Sequence, residues 1–198
     1  MSEPTIYDDL AKKPFLSCTK KDYTHRRNTI DIHLHLYLWT KTTDFEITFF
    51  DTYFDKIGNN RRDKNLQAKN RIDLSNNDYI IPDGITVIET GDTQLLYLVE
   101  MYDGKDTKRV LQQLRKHAQA ISLGTPSLKY GFQKSNRVLS IFEHDSNMKA
   151  VLSRIRQEQL FDAMTNHFLF KTLENIQTQD FMDSWLNLEG KKKSMFGQ

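Results

Sequence analysis

Residues 79–102, YIIPDGITVIETGDTQLLYLVEMY, constrain the fold of this chain more than any other stretch. Two apolar runs, residues 80–88 and 95–101, flank the turn Glu89-Thr90-Gly91-Asp92. Runs of this length, rich in Ile, Val, Leu and Tyr and bounded by turn residues, predict the two strands of a β-hairpin. Because both runs are apolar on both faces, we expect the hairpin to lie inside a sheet that is covered on each side.

Each predicted strand carries one carboxylate among apolar residues, Asp83 after Pro82 and Glu100 after Val99. An unpaired buried carboxylate is very costly, so a cation, a network of donors or a metal ion normally lies beside it. Divalent ions such as Mg²⁺ and Mn²⁺ prefer oxygen ligands, and a bound ion can hold a scissile phosphate and generate hydroxide. A Pro-Asp on one strand followed by a Glu within the next resembles the skeleton of a PD-(D/E)xK nuclease site.

This pattern predicts Asp83 and Glu100 as catalytic residues and as ligands of Mg²⁺ or Mn²⁺. A lysine two residues after the glutamate normally helps to activate water, but that position is Tyr102 here. Lys108 and Lys116, on the predicted helix that follows, are the candidates to replace it. The alternative interpretation is that Asp83 belongs to a Pro-Asp-Gly turn and Glu100 pairs with a neighbouring Arg or Lys. Whether the chain is an enzyme stays open on the residues alone.

Composition is that of a globular protein with one domain. The chain has 198 residues, of which 38% are hydrophobic and 27% are charged, enough for a full hydrophobic core. A net charge of +2 identifies no partner by itself. The single cysteine, Cys18, excludes an internal disulfide and a cysteine-based zinc site. No apolar run is long enough to span a bilayer, so we expect a cytoplasmic protein without a membrane partner.

The remaining segments predict an α/β domain over residues 23–176, between an irregular lead-in (1–22) and a terminal helix with a basic tail (177–198). Residues 23–39 fit both the alternation of a strand and the spacing of a helix. An antiparallel hairpin that feeds a helix and then a further strand describes a mixed β-sheet flanked by helices. The other predicted elements are strands at 45–54, 137–143 and 167–173, a basic loop at 56–71, and amphipathic helices at 105–122 and 147–164.

Basic residues cluster in the loop before the hairpin and along the helix after it. Such side chains contact DNA phosphates in many proteins, although a charged helix face is usually only solvated. The predicted DNA-binding residues are Arg61, Arg62, Lys64, Lys105, Lys108, Arg109, Arg115 and Lys116. A second pattern, His33 and His35, has the spacing of a metal pair only on a strand, and without a third ligand it favours a structural role.

Around the two carboxylates, Asp83 and Glu100, the sequence resembles the replication-relaxation family of plasmid mobilisation and replication proteins. Members carry a restriction-endonuclease-like core with the run PDG…fflEvDrGt…rkl..Y, and an upstream "H…nd" segment that is helical. The matching positions here are Pro82-Asp83-Gly84, Tyr97 through Gly104, the helix through Gln113 and His117, and His25 through Asp31. The resemblance therefore implies a helix for residues 23–39.

One departure bears on the predicted site. The second acidic residue of the family's E-x-D run is Tyr102 here, and the acid is displaced by one position to Asp103. A shift of one residue along a strand points a side chain to the opposite face of the sheet.

The resemblance implies an α/β protein with a restriction-endonuclease-like mixed β-sheet. It implies an accessory role in mobilisation, conjugation or replication of a plasmid or mobile element, with a degenerate nuclease site. The expected partners are DNA, a relaxase-type protein of the relaxosome, or both. The alternatives are an active Mg²⁺- or Mn²⁺-dependent endonuclease that uses Asp83 and Glu100, and a protein–protein module that has lost DNA binding.

Overall fold

The computed structural model describes residues 19–58, 66–75, 77–91, 93–133, 135–178 and 180–196. The first half of the chain contains helix α1 (Lys20–Thr40), strands β1 (Glu46–Thr52), β2 (Lys56–Ile57), β3 (Gln67–Ala68), β4 (Ile72–Asp73), β5 (Tyr79–Ile80), β6 (Gly84–Thr90) and β7 (Thr93–Tyr102). The second half contains α2 (Thr107–Leu123), α3 (Thr125–Tyr130), β8 (Arg137–Phe142), α4 (Asp145–Ile155), a 3₁₀ turn (Gln159–Phe161), β9 (Phe168–Thr172), α5 (Leu173–Thr178), β10 (Trp185–Leu186) and β11 (Lys192–Lys193).

A mixed seven-stranded sheet, in the order β1-β6-β7-β8-β9-β10-β11, forms the centre of the molecule. Strands β1, β6 and β7 run antiparallel, β8 and β9 lie parallel to β7, and β10 and β11 return to antiparallel pairing. The helix between β7 and β8 makes the parallel pairing feasible, because such strands need a long crossover. The prediction of an α/β protein with a mixed sheet flanked by helices is confirmed.

The hairpin at residues 79–102 is formed by β6 and β7, which pair from Gly84–Val99 to Thr90–Thr93. Its first strand begins at Gly84 and not near Ile80, where the sequence predicts it. Pro82 lacks a backbone N–H and cannot continue a ladder within a sheet. Residues 79–80 instead form β5, which pairs with β4 outside the main sheet.

Helix α1 confirms the helix implied for residues 23–39. Thr19 and Asp22 form a capping box at its start, and Ile32 and Leu36 are buried against the sheet. Leu34, Tyr37 and Leu38 are exposed on the other side. Apolar residues therefore lie all round this helix, and for that reason the sequence pattern alone did not separate helix from strand.

Helix α2 agrees with the predicted helix at 105–122. Asp106 caps it by accepting a hydrogen bond from the backbone N–H of Arg109, at 3.0 Å. Gly124 ends it with a φ of 65°, a left-handed conformation that suits glycine at this position. Pro126 lies in the first turn of α3, where its missing N–H costs no hydrogen bond.

Three predicted segments differ from the structure. The helix predicted at 147–164 ends at Ile155, where its buried stripe ends, and a 3₁₀ turn follows. The segment 177–198 is not a helix with a basic tail within the described residues, because β10 and β11 extend the sheet and Trp185 is fully buried. The loop predicted at 56–71 contains the β2–β3 pair, and its residues 59–65 lie outside the described part of the chain.

Each face of the sheet buries its own core. Leu98 and Tyr102 of β7 pack under α2 and α4, whereas Tyr97, Val99 and Met101 of the same strand pack under α1 and the C-terminal segment. This alternation follows from the period of a strand, and it assigns each residue near the predicted site to one face. None of the helices in the described ranges is long and apolar enough to cross a membrane.

Candidate functional site

Asp83 and Glu100, the two predicted carboxylates, are neighbours across the hairpin. Asp83 directly precedes β6, and Gly84, the next residue, pairs with Val99, so Asp83 lies opposite Glu100. The alternation of the strands places both on the face that carries Ile85 and Leu98, under α2. Asp83 is 9% exposed and Glu100 is 3% exposed, so both carboxylates depend on protein partners.

Helix α1 supplies the first partner through His25. Its Nε2 lies 2.8 Å from Asp83 Oδ1, and its Nδ1 lies 2.5 Å from Asp103 Oδ2. The backbone N–H of Met101 donates to Asp83 Oδ2 at 2.7 Å. Since both carboxylates accept, both ring nitrogens of His25 must donate, which makes the ring an imidazolium.

The acid–base properties of this group follow from its geometry. Burial lowers the pKa of His25, but the hydrogen bonds and charges of Asp103 and Asp83 outweigh burial and raise it to about 10. Burial likewise raises the pKa of Asp103, but the hydrogen bond and charge of His25, together with the amide of Asn28, bring it below its ordinary value. His25 is therefore a positive charge held between two negative ones near neutral pH.

Glu100 has a separate partner, His117 of α2, whose Nε2 lies 2.6 Å from Glu100 Oε1. Both residues are nearly inaccessible to solvent. Burial raises the pKa of Glu100, the charge and hydrogen bond of His117 offset part of that effect, and the nearby Asp83 carboxylate adds to the rise. Glu100 therefore pairs with a histidine, and not with an Arg or Lys as the alternative interpretation of the sequence proposed.

Tyr102 occupies the position where the nuclease motif has lysine. Its ring is fully buried under α2 and packs against Phe142, with ring centroids 4.9 Å apart. Burial and the neighbouring Glu100 and Asp83 carboxylates raise the pKa of its hydroxyl. A neutral phenol therefore stands where a cation would assist water activation.

The predicted basic residues lie in different environments. Lys116 lines the cleft beside Glu100 but binds Asp78 at 2.6 Å, so it is already engaged. The guanidinium of Arg115 donates two hydrogen bonds of 2.7 Å to the carboxylate of Glu158, which follows α4 in the chain. Arg61, Arg62 and Lys64 lie outside the described residues.

Three basic residues remain available near the site. The guanidinium of Arg109 lines both the cleft beside Glu100 and a second cavity of about 530 Å³ beside Asp103. It makes no hydrogen bond or ion pair with any residue that the structure describes. Lys105 lines the second cavity, while Lys108 is exposed on the first turn of α2 and lines neither. Lys108 is therefore not placed to act on the carboxylates.

The side chains as they lie do not fit the predicted Mg²⁺ or Mn²⁺ site. Both oxygens of Asp83 accept hydrogen bonds, and Glu100 uses one oxygen to bind His117. Within the described ranges, no three His, Cys, Asp or Glu side chains are grouped as a metal site would require. Metal binding thus stays a prediction, and it requires that His25 first leave Asp83.

Several members of this site were not assigned to it from the sequence. His25 and His117 belong to the segments that carry the family resemblance, which was the available signal. Asp103 was expected to face away from Glu100, and it does bond to the helix on the other face of the sheet, but His25 links it to Asp83 across the end of the strands. Asn28, one turn after His25, completes the group.

His33, one of the two histidines for which the sequence favours a structural role, packs against a strand of the sheet. The ring of His33 stacks on Phe50 with centroids 4.1 Å apart, and burial lowers the pKa of His33.

Comparison of the chain with family models, with curated proteins and with solved structures found no match. The function is therefore argued from the site and the fold.

Proposed function

We propose that this chain is a DNA-binding accessory protein of plasmid or mobile-element mobilisation and replication, with a restriction-endonuclease-like core and a degenerate nuclease site. The observation that carries the proposal is the pair of adjacent carboxylates, Asp83 and Glu100, each bound by a histidine. A nuclease core that has lost catalysis but kept its groove would have this arrangement.

The order of the elements supports the endonuclease-like assignment. Helix α1 is followed by the antiparallel strands β1, β6 and β7, then by α2 and the parallel strand β8. The Pro-Asp lies at the start of the second antiparallel strand, and the glutamate lies within the third. The sequence motif and the topology therefore point to the same core.

The charges support phosphate binding without a metal ion. The imidazolium of His25 neutralises part of the charge of Asp83 and Asp103, and Arg109 adds a second cation at the junction of the two cavities. Lys105 lies on the same rim, which also carries the carboxylates of Asp106 and Glu143. A phosphodiester approaching the rim meets cations at short range, where the attraction is strongest.

The proposed role in plasmid mobilisation and replication rests on the resemblance to the replication-relaxation family. The segments that carry it, His25 to Asp31, Pro82 to Gly84 and the helix with His117, converge on one site in the fold. A relaxase-type protein is the partner that this context favours.

The test is DNA binding measured by fluorescence anisotropy across a range of salt concentrations. Arg109→Gln and Lys108→Gln should each weaken binding and reduce the salt slope by about one, because each removes one phosphate contact. Arg115→Gln is the matched control, since Arg115 on the same helix is held by Glu158. Failure of the wild type to bind duplex, forked and single-stranded DNA would reject the proposal. An equal loss in Arg115→Gln would reject the assignment of the phosphate contacts to Arg109 and Lys108 in particular.

The second candidate is an active Mg²⁺- or Mn²⁺-dependent endonuclease, which the adjacency of Asp83 and Glu100 favours. Incubation of supercoiled plasmid with the wild type and Mn²⁺ should then produce nicks that Asp83→Ala abolishes. Equal nicking by both proteins would identify a contaminant, and no nicking by the wild type would leave the accessory role.

A further inference from the structure

The small cleft beside Glu100 has a composition that suits a particular ligand. Its volume is about 240 Å³, below the roughly 300–1,000 Å³ of pockets for drug-sized ligands. One wall is residues 79–81, and the opposite wall is the face of α2 with Arg109, Gln112, Gln113 and Lys116. The Glu100–His117 pair forms part of the lining between them. The cleft is wide enough for one small group only.

Two polar atoms in this lining are buried without a hydrogen-bond partner among the described residues, Oε1 of Gln113 and Nδ1 of His117. A buried polar atom that lacks a partner costs free energy, and most buried polar atoms in folded proteins have a partner in the protein or in an ordered water molecule. Both atoms lie beneath the surface of the cleft, so a ligand reaches Oε1 of Gln113 only after that side chain turns. Arg109 adds donors that no described residue uses, and the exposed Gln112 lies in the same lining. The α2 wall therefore offers polar groups to a ligand.

The opposite wall is apolar and partly held in place. Tyr79 is 42% exposed, and the guanidinium of Arg71 lies 4.0 Å from its ring centroid. Ile81 beside it is 38% exposed. Asp78 binds Lys116 across the rim and so connects the two walls. A ligand that matches this cleft has an apolar surface on one side and a hydrogen-bonding edge on the other.

We propose that this cleft binds one unpaired nucleobase of a DNA strand, with the adjoining phosphate at Arg109. This inference rests on the proposed function and narrows its substrate to DNA with an unpaired nucleotide, such as a fork or a single strand. A nucleobase has donors and acceptors on its edge and a flat apolar face, and it stacks on aromatic side chains.

A phosphate group alone suits the cleft less well. The carboxyl group of Glu100 belongs to the lining, and an anion gains nothing from the wall of Tyr79 and Ile81. A paired base in an intact duplex presents its edge to its complement and cannot enter. The observed chemistry therefore selects an unpaired base.

The test compares three fluorescein-labelled DNAs of equal length: a blunt duplex, a fork, and a fork whose first unpaired nucleotides are abasic. The wild type should bind the fork about tenfold more tightly than the other two, in line with the contribution of one stacked base. In a parallel sample, 2-aminopurine at the first unpaired position should change its fluorescence on binding.

Two variants and one control localise the effect. Gln113→Leu and Tyr79→Ala should each remove the preference for the fork, and Tyr79 is exposed enough that its variant should fold. Gln119→Leu, on the same helix but bonded to Ser75 outside the cleft, should keep the preference. Circular dichroism checks that each variant is folded.

The outcomes separate this inference from the proposed function. Equal affinity of the wild type for the blunt duplex, the fork and the abasic fork would overturn the nucleobase site, with only water in the cleft, while DNA binding would stand. Loss of the preference in Gln119→Leu to the same extent as in Gln113→Leu would also overturn it. No binding to any DNA would overturn both.

Discussion

His25 shows most clearly how one residue organises the site. Its two nitrogens bind Asp83 and Asp103, which precede β6 and follow β7, meet at the open end of the hairpin and lie far from His25 in the sequence. A lone histidine on a helix indicates nothing of this kind. The resemblance of the segment from His25 to Asp31 pointed to the helix, but only the meeting of three chain segments reveals the charge that the imidazole carries.

We expect the contribution of His25 to stability to depend on pH. Its pKa in the folded protein, about 10, lies above the ordinary 6.5, so its stabilisation is complete below pH 6.5 and is lost as the pH rises through 10. His25→Gln should lower the free energy of unfolding by about 2 kcal/mol near pH 6, the scale of hydrogen bonds to charged groups. Urea denaturation at several pH values from 6 to 10 measures the difference, which should shrink as the pH rises.

His35→Gln is the control for this experiment, because His35 lies on the same helix without a hydrogen bond to a described carboxylate. It measures the cost of removing an imidazole from α1 where no described carboxylate pairs with it. A difference for His25→Gln that stays constant with pH would mean that its imidazole is not held as a cation.

The connection between strand β9 and the segment after it depends on a buried lysine whose contacts the sequence pattern does not predict. The sequence predicts a strand at residues 167–173, and β9 occupies residues 168–172. Lys171 in its middle is nevertheless 1% exposed, and its ammonium donates to the carbonyls of Asp180 and Asp183 at 2.7 and 2.8 Å. The lysine thereby fixes the backbone that leads into β10, and no period in the sequence reveals this link.

Replacement of Lys171 by Met should lower the free energy of unfolding by about 1–3 kcal/mol, because two backbone carbonyls lose the donor that the buried ammonium supplies. Burial lowers the pKa of Lys171 to about 8, against the raising effect of Asp180 and Asp183, compared with an ordinary value of 10.5. Between pH 8 and 10.5 the unfolded chain therefore holds more protons, and the wild type should gain stability relative to the variant as the pH rises.

Denaturant titrations at pH 7, 8, 9 and 10 measure this trend, and hydrogen exchange should become faster at residues 180–186 in the variant. Lys149→Met is the control, since Lys149 forms an exposed pair with Asp145 that contributes little. A Lys171→Met protein as stable as the wild type, with unchanged exchange, would contradict the anchoring role.

At the scale of the whole molecule, one sheet carries two cores, and each depends on the other. Helices α2 and α4 cover one face, while α1, α5 and the C-terminal segment cover the opposite face. The hydroxyl of Tyr97 and the side chain of Arg137 both donate to the carbonyl of Met195, so the end of the described chain closes the second core. Removal of either layer exposes the strands that the other layer needs.

The molecule should accordingly unfold in one transition. Both tryptophans, Trp39 of α1 and Trp185 of β10, belong to the core on the α1 side of the sheet, so fluorescence reports on that core. Far-UV circular dichroism reports on all helices and strands. Thermal curves from tryptophan fluorescence and from far-UV circular dichroism should coincide. Trp185→Ala should shift the circular-dichroism curve as a whole and reduce stability by about 3–5 kcal/mol, because a fully buried side chain is lost.

Leu128→Ala is the comparison for this variant, since Leu128 is 76% exposed and its loss should change stability little. A biphasic curve, with the face under α2 still folded after fluorescence is lost, would show two independent units instead of one.

Local sequence patterns were enough to predict the hairpin, helix α2, strands β8 and β9, and the adjacency of Asp83 and Glu100. These features depend on alternation, caps and turns, which involve residues that are close together in the chain. The partners of those carboxylates, and the cations that stay unpaired among the described residues, became evident from the folded arrangement alone. The partners His25, His117, Asp78 and Glu158 come from distant segments, and contacts between distant segments are set by packing and not by any local pattern.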